Sequence, residues 1–213
     1  MTDTEPSATD NRRPIAARGN ALIRRIAAML VRSGISPNAI SVISIVFAAA
    51  GAAALLHLAS PWGALLCAAA IQLRLLCNLF DGMVAVEGGR QTVTGALYNE
   101  VPDRIADSVF IVALGIAAGL PWLGWLGALL AALTAYVRTL GGALGLKQDF
   151  RGPMAKPHRM ALMTAACVIA PLELHFLDSR YSLAAAAAVI AAGAVLTCAT
   201  RLTAITRQLE QRA

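Results

Sequence analysis

The chain has 213 residues, 58% of them hydrophobic and only 14% charged, with a mean hydropathy of +0.65. Soluble domains carry about a quarter charged residues, so the composition excludes an ordinary soluble enzyme and fits one helical bundle in a membrane. The net charge is +6, but the basic residues flank apolar runs and no groove-reading or base-stacking motif occurs. Membrane orientation and anionic lipid explain them, and nucleic acid does not.

Residues 1–11 are polar, lack the apolar core of a secretory signal, and read as a disordered tail. Over 12–36, Ile15, Leu22, Ile26, Met29 and Leu30 recur at helical spacing among Arg18, Arg24, Arg25 and Arg32. This predicts an amphipathic helix lying in the membrane interface. Pro37 and Asn38 suit a helix start. Apolar spans follow at about 39–58, 62–86, 95–119, 122–145, 160–176 and 181–204. Gly119-Leu120-Pro121 reads as a tight turn, and 147–159 as a polar loop. The expected fold class is all-α integral membrane, with six transmembrane helices in a domain spanning 37–205 and a tail at 206–213. Cys67, Cys77, Cys167 and Cys198 all sit in apolar sequence without metal-type spacing and read as small core residues.

Charge asymmetry orients the bundle. Arg12, Arg13, Arg18, Arg24, Arg25 and Arg32 precede the first span, and Arg90 follows the second. Lys147, Arg151, Lys156 and Arg159 follow the fourth, and Arg201, Arg207 and Arg212 close the chain. The three opposite turns contain only Arg180. Both termini are therefore expected in the cytoplasm, the membrane being the inner membrane of a bacterium.

The stretch 78–107 breaks the apolar pattern. Asn78 and Asp81 share a face of the second span; Asn99, Asp103 and Asp107 share a face of the third. Charges placed inside spans are costly and mark function. Both faces lie a few turns from the same loop, so the second and third spans are expected to form a hairpin whose acids meet. Oxygen-bearing side chains from two facing helices suit Mg²⁺ or Mn²⁺. Pro102 removes a backbone donor beside Asp103 and is expected to kink its helix. Arg74, deep in the second span, reads as the structural partner of an acid, and His57 and His175 carry no chemistry.

The same stretch resembles the signature of the CDP-alcohol phosphotransferases (CDP-alcohol phosphatidyltransferases), D-x-x-D-G-x-x-A-R-x8-G-x3-D-x3-D. Asp81, Gly82, Ala85, Gly95 and Asp103 match at the right spacing, while Asn78, Val86 and Asn99 replace Asp, Arg and Asp. The resemblance implies a phosphatidyl-type transfer from a CDP-linked lipid, such as CDP-diacylglycerol, to an alcohol, with release of CMP in phospholipid synthesis. It implies divalent metal, commonly two ions among four acids, here Mg²⁺ or Mn²⁺. By position, Asn78, Asp81, Asn99 and Asp103 would be metal ligands and Asp103 also the base; Gly82, Ala85 and Gly95, with Asp81, would line the nucleotide pocket. Asp107 ranks first, ahead of Glu100 and Glu87, as a ligand making good the two lost charges. Arg90, Arg104 or Arg138 would replace the phosphate contact missing at Val86, and Arg138 and Lys156 stand where the family has basic groups near phosphate. Relatives are often homodimers, which is carried here as an expectation. Two other readings stay open at this point: a relative without turnover that binds nucleotide or lipid or acts as a scaffold, and a small ion-coupled transporter. The latter lacks inverted repeats.

Overall fold

Seven helices account for nearly all of residues 20–212, the part of the chain that the computed structural model describes. The expected tail at 1–11 and residues 12–19 of the expected interfacial helix lie outside the described residues, as does Ala213. No strand occurs among the described residues. The helices are α1 (Ala21–Ser33), α2 (Pro37–His57), α3 (Trp62–Glu87), α4 (Gly95–Ala117), α5 (Pro121–Ala143), α6 (Lys156–Leu177) and α7 (Tyr181–Glu210).

Local signals set most of these ends. The Asn20 side chain accepts from Leu22 N–H (2.8 Å) and starts α1, which stops at Gly34 in the left-handed region (φ 82°). Ser36 caps α2 by accepting from Ala39 N–H (3.1 Å), with Pro37 in the first turn. Pro157 does the same for α6, so the helix begins at Lys156 and the expected loop 147–159 is four residues shorter than its polarity suggests. Pro102 lies inside α4, which continues through it as one helix, and Asn99 to Asp107 share a continuous element. At the opposite end of the bundle the Glu173 carboxylate accepts from Ser182 N–H (2.8 Å), Tyr181 N–H and Ser179 Oγ. It thereby satisfies the unpaired donors at the start of α7.

Five helices, α2, α3, α5, α6 and α7, are long and apolar enough to cross a membrane. α4 is as long as α5 but carries Glu100, Asp103, Arg104 and Asp107. The chain is an all-helical integral membrane protein. α1 has the expected amphipathic build: Ile23, Ile26, Ala27, Leu30 and Val31 pack with α2 and α3, while Leu22 and Met29 stay exposed. Its helix covers Ala21–Ser33 of the expected 12–36.

Packing closes the remaining six helices into a ring. α2 lies along both α3 and α4, α4 packs on α5, α5 on α7, α7 on α6, and α6 returns to α3. α3 and α4 are consecutive in sequence, and as a hairpin they meet through side chains and not through close backbone packing. α2 is wedged against both, and the gap between α3 and α4 faces the ring interior, where side chains rather than backbones span it. The apolar core runs through all six helices and includes Ile71, Phe110, Ile111, Leu114, Met160, Met163 and Ile190. The four cysteines are free and buried in apolar surroundings, as expected. Small residues allow the closest approach. A Cβ on Gly115 of α4 would stand 2.4 Å from Gly124 Cα of α5. Gly115→Val should therefore force these helices apart and cost about 1–3 kcal/mol, read as a lower melting midpoint in detergent; an unchanged midpoint would show slack at this crossing.

Candidate functional site

The polar side chains of α3 and α4 meet in the gap between these helices, close to the end that carries both α1 and the end of α7. Arg74 is fully buried on α3 and donates from Nη2 to Asp103 Oδ1 (3.1 Å), to the Asp103 carbonyl (3.1 Å) and to Asp107 Oδ1 (2.7 Å). Asn78, one turn further along α3, donates its amide to Asp103 Oδ1. Two residues from α6 complete the set. The Lys156 ammonium pairs with Asp103 Oδ2, and Arg159 donates to Asp107 Oδ2 (2.8 Å). Arg159 also reaches the Met154 carbonyl (2.8 Å) and Thr134 Oγ1 (3.4 Å). The result is a buried sequence of alternating charge, Lys156–Asp103–Arg74–Asp107–Arg159, crossing three helices. Among the described residues Arg74 Nε and Nη1 and Arg159 Nε find no acceptor, so each guanidinium is held by the carboxylates together with the Asp103 and Met154 carbonyls and Thr134.

Asp81 sits apart from this chain of ion pairs. It is buried, its Oδ2 accepts from Ser41 Oγ of α2 (2.6 Å), and among the described residues it has no ion pair. The same hydroxyl, its one proton directed to Asp81, lies 3.2 Å from the Pro37 carbonyl. A serine within the apolar run of α2 gave no sign of this in sequence. Gly82 and Ala85 are half-buried beside Asp81, and Val86 is 42% exposed. Asn99 is exposed one turn before Asp103, and a Cβ on Gly95 would meet only Thr92 Oγ1, at 3.5 Å.

The expected phosphate contacts fall into different places. Arg90 donates to the Ile35 carbonyl (3.2 Å), bracing the α3–α4 loop against the α1–α2 joint. Arg104 lies between Glu100 (3.7 Å) and Asp103 (3.5 Å). Arg138 of α5 pairs with Glu100 Oε1 (2.5 Å), donates to Gln148 Oε1 (2.6 Å) and stacks on Phe150 at 5.0 Å. Lys156, expected at phosphate, has its ammonium on Asp103 instead, because Pro157 starts α6 early and turns this residue into the gap. Asp107, expected as the compensating metal ligand, has one oxygen on each of two arginines. Arg74 has the structural role expected of it. Arg159 and Glu100 are partners that the sequence placed nearby without indicating their contacts.

The loop carrying Lys156 is itself tied down. Met154 N–H donates to Thr197 Oγ1 (2.9 Å), and Arg201 Nε donates to the Arg151 carbonyl (2.9 Å) while its Nη1 holds the Thr134 carbonyl (2.6 Å). Gly152 (φ 131°) lies so close to Thr197 that a Cβ would stand 2.4 Å from its methyl. Outside the spans, hydrogen bonds from Arg151 hold the Asp149 carboxyl below the usual carboxylate range, against a smaller opposing effect of burial.

Among the described residues no group of three or more His, Cys, Asp or Glu side chains is placed to hold a metal. The oxygen donors on the motif face not committed to ion pairs are the Asp81 carboxylate, the Asn78 carbonyl oxygen and Asn99. All are hard oxygens, and Asp81 is a buried carboxylate without an ion pair among the described residues, so the set fits a hard dication.

An all-helical membrane ring with acids and amides facing one another across α3 and α4 defines a membrane-embedded polar site of the kind found in transferases of lipid phosphates. No protein-family model matches the chain. It is 34% identical to the archaetidylinositol phosphate synthase of Aeropyrum pernix over 167 residues, covering 78% of this chain and 81% of that protein. It is 28% identical to the phosphatidylinositol phosphate synthase of Mycobacterium marinum over 181 residues, covering 81% and 74% of the two chains. The fold matches solved structures of the Mycobacterium tuberculosis phosphatidylinositol phosphate synthase. One has CDP-DAG bound (TM-score 0.73, 23% identity, 87% of this chain and 94% of that chain). Another is a complex with manganese and citrate (TM-score 0.72, 24% identity, 86% and 88%). The chain belongs to the CDP-alcohol phosphotransferase family and is a membrane transferase. This sets aside the ion-coupled transporter.

Asp107 neutralises two arginines that are otherwise fully enclosed. Breaking a buried ion pair by removing one partner costs about 3–5 kcal/mol, so Asp107→Asn should sharply lower the melting midpoint in detergent without added metal. Asp149→Asn, at the exposed pair with Arg151, should leave it unchanged. Equal midpoints for both variants would remove Asp107 from its structural role.

Proposed function

We propose that this transferase moves a phosphatidyl-type group from a CDP-linked lipid, such as CDP-diacylglycerol, to the hydroxyl of a phosphorylated polyol of the inositol phosphate class, releasing CMP. The observation that carries the reading is the pair Asp81 and Asp103, held at the motif's spacing on two helices, with Asn78 reaching across the gap to Asp103. The acceptor class follows the names of the relatives, all of them synthases of inositol phosphate lipids.

Asp81, with the amide oxygens of Asn78 and Asn99, would hold Mg²⁺ or Mn²⁺. Such an ion, when bound, neutralises the donor diphosphate and polarises the phosphorus under attack. The chain's own groups do the rest. Gly82, Ala85 and Gly95 leave room for the cytidine nucleotide to approach the backbone. Asp103, oriented by Arg74, Asn78 and Lys156, accepts the proton of the acceptor hydroxyl as its oxygen bonds to phosphorus. The bond from that phosphorus to the CMP oxygen breaks, and CMP leaves with the electron pair. Arg138, held on Glu100 and Phe150, is the group for the acceptor's own phosphate; a dianion there would compete with the Glu100 carboxylate. Asp107 is a positioning residue in this scheme.

In this reading α4 also spans, bringing the count to six, its charges facing the ring interior. Residues 37–205 form the catalytic domain, α1 lies in the interface, and the expected tail after 205 begins as a continuation of α7 through Glu210. The site opens to the cytoplasmic side of a bacterial inner membrane, where the basic residues and both termini collect. A homodimer is the expected assembly.

Purified protein given labelled CDP-diacylglycerol, Mg²⁺ or Mn²⁺ and a panel of alcohols should release CMP fastest with an inositol phosphate, and chelation should stop it. Asp103→Asn should reduce turnover by at least about a hundredfold, within the range for losing a positioned base. Nucleotide binding without CMP release from any acceptor would point instead to a member of the family that binds and does not turn over.

A further inference from the structure

We infer that the site takes a single divalent cation per chain, the Lys156 ammonium supplying the positive charge that a second would bring. This rests on the reading above that the motif residues hold the cation. The charge balance of the buried cluster carries it. Three carboxylates, Asp81, Asp103 and Asp107, face three cations, Arg74, Lys156 and Arg159. Arg104 and Arg138, at the rim, share the single Glu100 carboxylate. The six inner groups are therefore formally neutral before any metal arrives, and the rim adds one positive charge. In an apolar surround, excess charge must be compensated locally. A donor diphosphate brings two negative charges, and one dication cancels them. A second dication would add two further positive charges with nothing to answer them.

Donor atoms lead to the same count. Asp103 Oδ1 accepts from Arg74 and Asn78, and its Oδ2 is on Lys156, with Arg104 3.5 Å away. Both Asp107 oxygens are on arginines. What is left is the Asp81 carboxylate, which accepts from Ser41 Oγ and the Gly82 backbone but from no cation among the described residues, with the neutral amide oxygens of Asn78 and Asn99. Those donors, with water and phosphate oxygens, make up one hard-ion shell. Asn at 78 and 99 and Lys at 156 then belong together: each neutral amide removes a negative charge, and the ammonium covers the acid that remains.

The test is a Mn²⁺ titration of the full chain in nanodiscs, followed by electron paramagnetic resonance, with and without CDP-diacylglycerol. The wild type should bind one Mn²⁺ per chain and give an uncoupled six-line spectrum. Asn78→Asp with Asn99→Asp restores two negative charges and should bind two ions with a spin-coupled spectrum. Lys156→Met should tighten the single site at least tenfold. Two ions of similar affinity in the wild type would overturn the inference, as would unchanged affinity in Lys156→Met. If the double variant does not fold, the wild-type count and Lys156→Met decide. CMP release on the same samples separates the two readings: one ion without CMP keeps this inference and sinks the transferase substrate assignment, and two ions with CMP do the reverse.

Discussion

The structure depends on one buried run of alternating charge, from Lys156 through Asp103, Arg74 and Asp107 to Arg159. α3 and α4 do not press their backbones together, because α2 takes that place along both. What joins them is Arg74, reaching from α3 to two carboxylates one turn apart on α4. What joins them to α6 is the pair Lys156 and Arg159. A guanidinium suits the central position because its donors lie in one rigid plane, so one group can serve two acids. The ring of helices can then keep a polar gap at its centre without collapsing onto it.

This arrangement divides the acids of α4 by task, although they sit on one helical face. Asp107 is closed in by two arginines and holds helices in place. Asp103, one turn nearer the membrane surface, touches Arg74 on one side and reaches Asn78 and Lys156 on the other, so it joins the supporting network to the reacting end. Asp81 has no cation of its own and depends on Ser41. The gradient runs from charges fully answered within the protein to a charge left for a ligand. In the proposed reaction, support comes from deeper in the bundle and chemistry from its mouth.

Much of this was legible in the sequence, for identifiable reasons. Long apolar runs punctuated by Pro37, Pro61 and Pro121 located six long helices to within about six residues, and the helical spacing of Asn99, Asp103 and Asp107 put them on one face. Arg74 in an apolar run could only be partnered by an acid. Pairing across the bundle was not legible, because spacing along one helix says nothing of which helix faces it. The wedge position of α2 follows from small residues such as Gly51, where a Cβ would stand 2.5 Å from the Ala70 Cβ. Such contacts do not announce themselves in an alanine-rich sequence. Lys156 was misplaced for a local reason: a polar, proline-containing stretch reads as loop, yet proline in the first turn starts a helix.

Arg74 also bears on how the protein is made. It lies 33 residues ahead of Asp107, and Asp107 lies 52 ahead of Arg159. A helix that carries an unanswered guanidinium at its middle enters lipid reluctantly. The guanidinium of α3 is therefore answered only once α4 is present. The second oxygen of Asp107 then stays open until α6 is synthesised. The contacts that build the site are thus also the ones that let α3 keep a guanidinium in an apolar surround.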